Sequence, residues 1–479
     1  MMTSRHALLL LVLVTVAVTA SGQDAPRLNF IFMIVDDVSH DDLGCYGNAR
    51  ARTPHLDRLA REGRVFDNAY LTISSCSPSR CSIITGRYPH NTGAPELHTR
   101  LPKGQKVFPA ALRAAGYHTA LSGKHHMGKN ANVGFDVVDK GKGPGKQRTW
   151  VDLLKTRPKD QPFFFWFAST DAHRNWKTDD RAPTFQPKDV VVPPFLVDGP
   201  VTRQDLTGYY HEVSRTDHYV GAIRAELERQ RIADHTVIVY VADNGRPFPR
   251  CKTRLYDSGI KTPLIVWSPK RIRPGRTSSL VSAIDLAATF LDLAGLPKMP
   301  TVQGTSFKTI LDDPAATVRH YAFAEHNWHV YRAHERMVRT GPWLYIRNAW
   351  PDHRNLCKES DRSFPAGKEL WDRHAAGKLL PAQSQLFQIP AFREELYDVT
   401  KDPHQLHNLA PGPEHGDALS ILRIVLDRWA DETADSIPAN PTPDRDTIDG
   451  KRIKGFRRGE MPGGSTGAAQ VNASGPVQS

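Results

Sequence analysis

Cysteine is scarce in this chain, with five among 479 residues, so no disulfide framework holds the fold together. The five are Cys45, Cys76, Cys81, Cys251 and Cys357. The odd number leaves at least one thiol free or modified, and spacing alone pairs none of them. Beyond the first twenty or so residues there is no apolar run long enough to span a bilayer. Blocks of Lys and Arg, zinc-finger spacings and the aromatic signature of RNA-binding modules are all missing, which argues against the common nucleic-acid readers. No internal repeat is present.

What is present suits a globular protein. The chain is 39% hydrophobic and 24% charged, enough apolar residue for a core and too little charge for global disorder. Its length suits one large domain plus a smaller one. Lys and Arg number 63 against 51 Asp and Glu, a net +12, which favours acidic partners. At the start, Arg5 and His6 precede the apolar run 7–17, and small residues follow at Val18-Thr19-Ala20-Ser21-Gly22. This is the pattern of a cleaved export signal over residues 1–22. It predicts a secreted or periplasmic protein, lysosomal in a eukaryote, with no stable membrane anchor.

Short apolar runs at Leu28–Val35, Thr119–Leu121, Phe163–Ala168, Thr236–Ala242 and Leu264–Trp267 read as buried strands. Helical spacing lies between them at Pro54–Glu62, Phe108–Ala115 and Tyr209–Gln230, and follows at Ser282–Ala294. This alternation predicts an α/β domain with a mainly parallel sheet flanked by helices over residues 24–335. Strands at Arg339–Asn348 and Glu395–Val399 and a helix at Ala418–Glu432 predict a smaller α+β subdomain over 336–435. The Pro-, Gly- and charge-rich stretch 436–479 reads as a disordered tail.

In open α/β sheets, ligands bind beyond the carboxyl ends of the strands. After the first strand come Asp36 and Asp37. The second leads into Gly123-Lys124-His125-His126, the third into Asp171 and His173, and the fourth into Asp243-Asn244-Gly245. Each is unremarkable as a turn, but four on one sheet edge point to a site. Asp36, Asp37, Asp243 and Asn244 offer only oxygen, which selects calcium or magnesium over zinc.

The segment Cys76-Ser77-Pro78-Ser79-Arg80 reads as the start of a helix, with Pro78 in its first turn and Gly86 at its end. Cys76 then sits where the helix dipole favours negative charge. Arg80, one turn on, faces the same way. On local chemistry alone, a structural buried cysteine is the favoured reading.

The segment resembles the signature of the formylglycine-dependent type I sulfatases, Cys-x-Pro-Ser-Arg followed by Thr-Gly-Arg, here Thr85-Gly86-Arg87. Asp36-Asp37, Gly123-Lys124-His125-His126-Met127-Gly128, Asp243-Asn244 and Pro263-Leu264-Ile265-Val266 are similar to further blocks of that family, in the same order. Within it, Asp243–Pro249, Glu395–Asp398 and Asp402–Ala410 resemble the heparan N-sulfatase (N-sulfoglucosamine sulfohydrolase) subgroup, over roughly residues 28–435. The chain departs from that subgroup's pattern at Lys252 (Arg there), His125 (Lys there) and Ala172 (Pro there).

The resemblance implies the alkaline-phosphatase-like sulfatase fold and conversion of Cys76 to formylglycine by a formylglycine-generating enzyme. It implies a Ca²⁺ site of Asp36, Asp37, Asp243 and Asn244 with the modified residue 76. It implies Arg80 and Lys124 as charge-balancing groups, His126 as base, His173 and Lys252 facing the leaving atom with His173 as proton donor, and His98 as a sugar contact. The implied substrate is a sulfated saccharide, N-sulfoglucosamine first, with an O-sulfate of another polysaccharide as the alternative. The rival readings are a phosphatase or phosphonate hydrolase of the same fold, and a non-catalytic protein that binds sulfated glycans.

Overall fold

The computed structural model describes residues 27–477; the expected export signal lies outside them. Among the described residues, twelve strands form two sheets. The first eight are β1 (Asn29–Val35), β2 (Arg64–Tyr70), β3 (His118–Gly123), β4 (Val137–Asp139), β5 (Phe163–Ala168), β6 (Thr236–Ala242), β7 (Leu264–Trp267) and β8 (Gly275–Ser282). They lie in the order β4-β3-β5-β1-β6-β7-β2-β8. β7 runs antiparallel to both its neighbours, and the other pairings are parallel.

β1 is apolar on both faces because both are covered. Phe30, Phe32 and Ile34 pack on one side with Phe290 from the helix Asp285–Leu293. Ile31, Met33 and Val35 pack on the other with Tyr209, Val213 and Ile223 from the helix Pro200–Arg229. The strand order explains the convergence seen in the sequence. β3, β5, β1 and β6 are four adjacent strands, so the segments after them meet at one edge.

The second sheet is antiparallel, in the order β12-β11-β10-β9, from β9 (Ala322–His326), β10 (Glu335–Arg339), β11 (Trp343–Asn348) and β12 (Glu394–Asp398). It begins at Ala322, ahead of the boundary expected at 335. The helix Gly416–Thr433 covers it, burying Leu422, Leu426 and Trp429.

The tail does not follow the expectation of disorder. Ala468 is fully buried, and the His320 N–H donates to Val477 O at 2.8 Å. The buried Arg87 guanidinium donates to the carbonyls of Ala469 and Val471 and to Asn472 Oδ1. Its composition reads as disorder because partners such as His320 and Arg87 lie far away along the chain.

Candidate active site

The helix α2 (Cys76–Thr85) begins at Cys76, and all ten of its residues are buried. It ends at Gly86, whose φ of 67° is the left-handed cap that glycine accepts most readily. Arg80, on the next turn, is fully buried. Its Nε–H donates to Asp243 Oδ2 at 2.7 Å and another N–H to Lys124 O at 3.0 Å.

Lys124 follows Gly123, whose φ is 105°; a Cβ there would run into the Ala168 carbonyl. Only glycine lets β3 turn so tightly against β5 and bring Lys124 into the site. Lys124 Nζ donates to Asp36 Oδ2. Lys252 Nζ reaches both oxygens of Asp37, at 2.7 and 2.8 Å. Asn244 Nδ2 donates to Asp37 Oδ1 at 2.5 Å. Ligand atoms of Asp36, Cys76 and Asp243 lie within 4.8 Å of one another. Asp36 Oδ1 and Asn244 Oδ1 are buried with no hydrogen-bond partner.

An open cleft leads in from solvent, lined among others by Asp36, His98, Lys124, His126 and His173. His173 Nδ1 lies 2.5 Å from Arg174 O, so Nδ1 carries the proton and Nε2 is the free nitrogen. His126 Nε2 pairs with His98 Nδ1 at 2.8 Å. Asp37, His98 and His126 all have φ near 60°, a region that residues with side chains seldom enter and that concentrates at functional sites.

The charges are tightly balanced. Burial raises the Asp36 carboxyl, but Lys124, His173, Arg80 and Lys252 outweigh it and hold the group below its ordinary range. Burial wins at Asp37 and at Asp243, which rise despite Lys252 and Arg80 respectively, with Asp36 adding to both. Desolvation of the buried carboxylate is the larger effect at both. Burial pushes the Cys76 thiol up to about 12 against Lys124 and Lys252. Burial, then Lys124, pushes His126 down to about 2. Burial, then Lys252, pushes His173 down to about 4.

Residues 28–296 match the Sulfatase family, more than half of the chain, and residues 251–350 match the family described as N-sulphoglucosamine sulphohydrolase, C-terminal. The chain belongs to the sulfatase family. It is a sulfuric ester hydrolase. Human N-sulphoglucosamine sulphohydrolase is 30% identical over 86% of this chain and 91% of its own length. An ulvan-active sulfatase of Formosa agariphila is also 30% identical, over 84% of this chain and 74% of its own. Among solved structures, a complex with the substrate D-glucosamine-2-N,6-O-disulfate superposes with a TM-score of 0.67 at 21% identity, covering 85% of this chain and 98% of that one. A 2-O GAG sulfatase gives a TM-score of 0.67 at 20% identity, covering 90% and 99%.

This sulfatase brings every residue singled out from its sequence into one region, and adds neighbours that spacing could not reveal. His329 Nδ1 pairs with Oγ of Ser75, the residue capping α2, at 2.6 Å. Glu359 Oε1 lies 3.9 Å from Lys252 Nζ. The Arg215 guanidinium clamps both oxygens of Asp171, two residues before His173. Each lies far along the chain from its partner and in no local motif. Among the described residues, no helix is long and apolar enough to cross a membrane.

Proposed function

We propose that this enzyme removes sulfate from sulfated glycans, using a formylglycine made from Cys76 by a formylglycine-generating enzyme and a calcium ion held by Asp36, Asp37, Asp243, Asn244 and residue 76. The observation that carries the reading is the approach of Cys76 to Asp36 and Asp243 within 4.8 Å at the buried start of α2. A thiol pushed up to about 12 is protonated at neutral pH and is no nucleophile as it stands, which favours its conversion.

The donor set fits calcium: it is hard oxygen throughout, and two of the oxygens, on Asp36 and Asn244, are buried without partners. When bound, the ion would polarise the sulfate and lower the pKa of a nearby hydroxyl. The aldehyde hydrate supplies two hydroxyls on one carbon, one to bond sulfur and one whose deprotonation expels sulfate.

The chain's other residues bind, orient and move protons. Arg80 and Lys124 balance the negative charge of sulfate and hydrate in a buried site where each charge counts heavily. His126 has an unpartnered buried Nδ1, a lone pair suited to accept the proton of the second hydroxyl. His173 presents Nε2, and the negative charge of bound sulfate draws a proton onto it for delivery to the leaving atom. Lys252 adds positive charge beside that atom.

N-sulfoglucosamine is the first substrate to consider, on the resemblance of the 243–249 and 395–410 segments and the match over 251–350. A specific observation keeps an O-sulfated polysaccharide in view. The human N-sulphoglucosamine sulphohydrolase and the ulvan-active sulfatase are equally identical to this chain, at 30%. Lys252 is moreover a flexible point charge where an arginine would be a fixed fork.

The test is sulfate release by the matured enzyme from N-sulfoglucosamine and from 2-O-, 3-O- and 6-O-sulfated sugars at matched concentration. The expected result is preference for the N-sulfate. A hundredfold preference for an O-sulfate, about 2.7 kcal/mol in the barrier, would replace the N-sulfate reading. No release from any sulfated saccharide would overturn the glycan reading.

A further inference from the structure

The C-terminal strap lies beyond both family matches, which end by residue 350, yet it packs against the rim of the cleft. Arg458 donates to Glu96 Oε2 at 3.0 Å, to Thr99 Oγ1 at 3.3 Å and to the Leu97 carbonyl. Those residues flank His98. The Arg445 N–H donates to Val330 O at 2.7 Å, next to His329 and its bond to Ser75. Residues 445–453 double back as a short hairpin, with Ile453 N–H bonded to Arg445 O at 2.8 Å. Arg458 stacks over Trp328 at 4.7 Å, Trp328 against Phe456 at 5.5 Å, and Arg452 over Phe456 at 4.9 Å. The strap is therefore held in place by its own cations and aromatics.

Its charge is one-sided. Between 445 and 458 there are six cations, at 445, 451, 452, 454, 457 and 458, against acids at 446 and 449 only. Lys451, Arg452, Lys454 and Arg457 are exposed and have no ion-pair partner among the described residues. Beside them is a hollow lined by Arg332, His353, Asp444, Lys454 and Phe456. Arg332 Nε is buried there with no hydrogen-bond partner. Arg332 is three residues from His329, so their Cα atoms are at most about 11 Å apart.

We infer that this hollow binds a further sulfated or carboxylated sugar of the same polysaccharide whose sulfate is cleaved at Cys76. Arg332 and Lys454 take the anion, and Phe456, already stacked on Trp328, forms part of the wall. The inference rests on the glycan reading above. It makes the enzyme bind chains more tightly than isolated sugars, through contacts that leave the cleavage chemistry untouched.

Two variants test it: Arg332→Gln with Lys454→Ser, and Lys451→Ser with Lys454→Ser and Arg457→Ser, the second removing no described side-chain hydrogen bond. A control removes as much charge from the opposite edge of the sheet, Lys155→Ser with Lys159→Ser and Lys270→Ser. KM is measured for a sulfated hexasaccharide and for the monosaccharide of its terminal unit. The expected result is about a tenfold rise in hexasaccharide KM for both strap variants, with monosaccharide KM unchanged and the control unaffected. Unchanged hexasaccharide KM, or an equal rise in the control, would overturn the inference. Fluorescence anisotropy of a labelled heparin-derived hexasaccharide, in a Cys76→Ala background, repeats the comparison without turnover. An enzyme inactive on every glycan would sink the proposed function, while strap-dependent binding would still decide this inference.

Discussion

His126 Nε2 lies 2.8 Å from His98 Nδ1, while His126 Nδ1 is buried with no hydrogen-bond partner. If Nε2 carries the proton and donates it to His98, Nδ1 is left as a buried lone pair. His98 then acts through His126 by fixing its tautomer. His98→Ala should lower kcat by about tenfold to a hundredfold and change KM less than threefold. A large rise in KM with kcat intact would instead put His98 on the sugar.

Cys76 should carry formylglycine when the chain is made with its maturation system. Mass spectrometry should find the peptide lighter than the thiol form by the mass of H₂S less one oxygen. Cys76→Ser should stay inactive, because a serine ester lacks the second hydroxyl that expels sulfate. Turnover in that variant near the level of the parent enzyme would reject the mechanism.

Asp243 links the helix α2 to the strand β6 through Arg80, and neither side chain is exposed. Asp243→Ala leaves the Arg80 guanidinium buried without its carboxylate, a loss of about 3–5 kcal/mol. It also removes a proposed calcium ligand. The melting temperature and the calcium bound per chain should both fall, and activity should not return when calcium is added. A variant with unchanged metal content would take Asp243 out of the ligand set.

Much of this arrangement is legible in the sequence because β1, β5 and β6 are apolar on both faces and their polar residues begin abruptly at the strand ends. That pattern alone puts Asp36, His173 and Asp243 on one edge. β2 and β8 escape notice for the opposite reason. They sit at the margin of the sheet, β2 has Asp67 and Asn68 in its middle, and β8 opens with an exposed polar half. Their period is set by partners, as when Asn68 Nδ2 donates to Ser278 O at 2.8 Å. Glu359, His329 and the strap depend wholly on tertiary contacts, which no local pattern encodes.

Acid should destabilise the enzyme from about pH 6.5 downward. His329 and His334 are pushed well below their ordinary value, by burial first and then by Lys252 and Arg336 respectively. The unfolded chain therefore takes up these protons before the folded one. Stability present above the unfolded value is lost as pH falls, at up to about 1.4 kcal/mol per pH unit for each group. His90, raised because Glu325 and Asp435 outweigh its burial, works in the other sense. Thermal midpoints with excess calcium at pH 7.5 and 5.5 should show the drop, and His334→Phe should lessen it. An unchanged drop in that variant would mean that His334 is not held neutral in the fold.

His173 offers the sharpest separation of roles. Its Nδ1 is tied to Arg174 O at 2.5 Å, and Asp171 before it is clamped by Arg215, so the ring is held rather than free to swing. Burial and Lys252 hold it down at about 4, and in the proposed mechanism a bound sulfate would supply the charge that protonates it. A proton donor matters when the departing group is a basic sugar alkoxide or amine, and little when it is an acidic phenol. His173→Ala should therefore cost about a hundredfold or more in kcat/KM on a sulfated sugar, and about tenfold or less on a nitrophenyl sulfate. The same variant should flatten the alkaline side of the pH–rate profile for the sugar, because the group whose proton is lost there is gone. Equal losses on both substrates, with the pH profile unmoved, would show that His173 binds sulfate without giving up a proton.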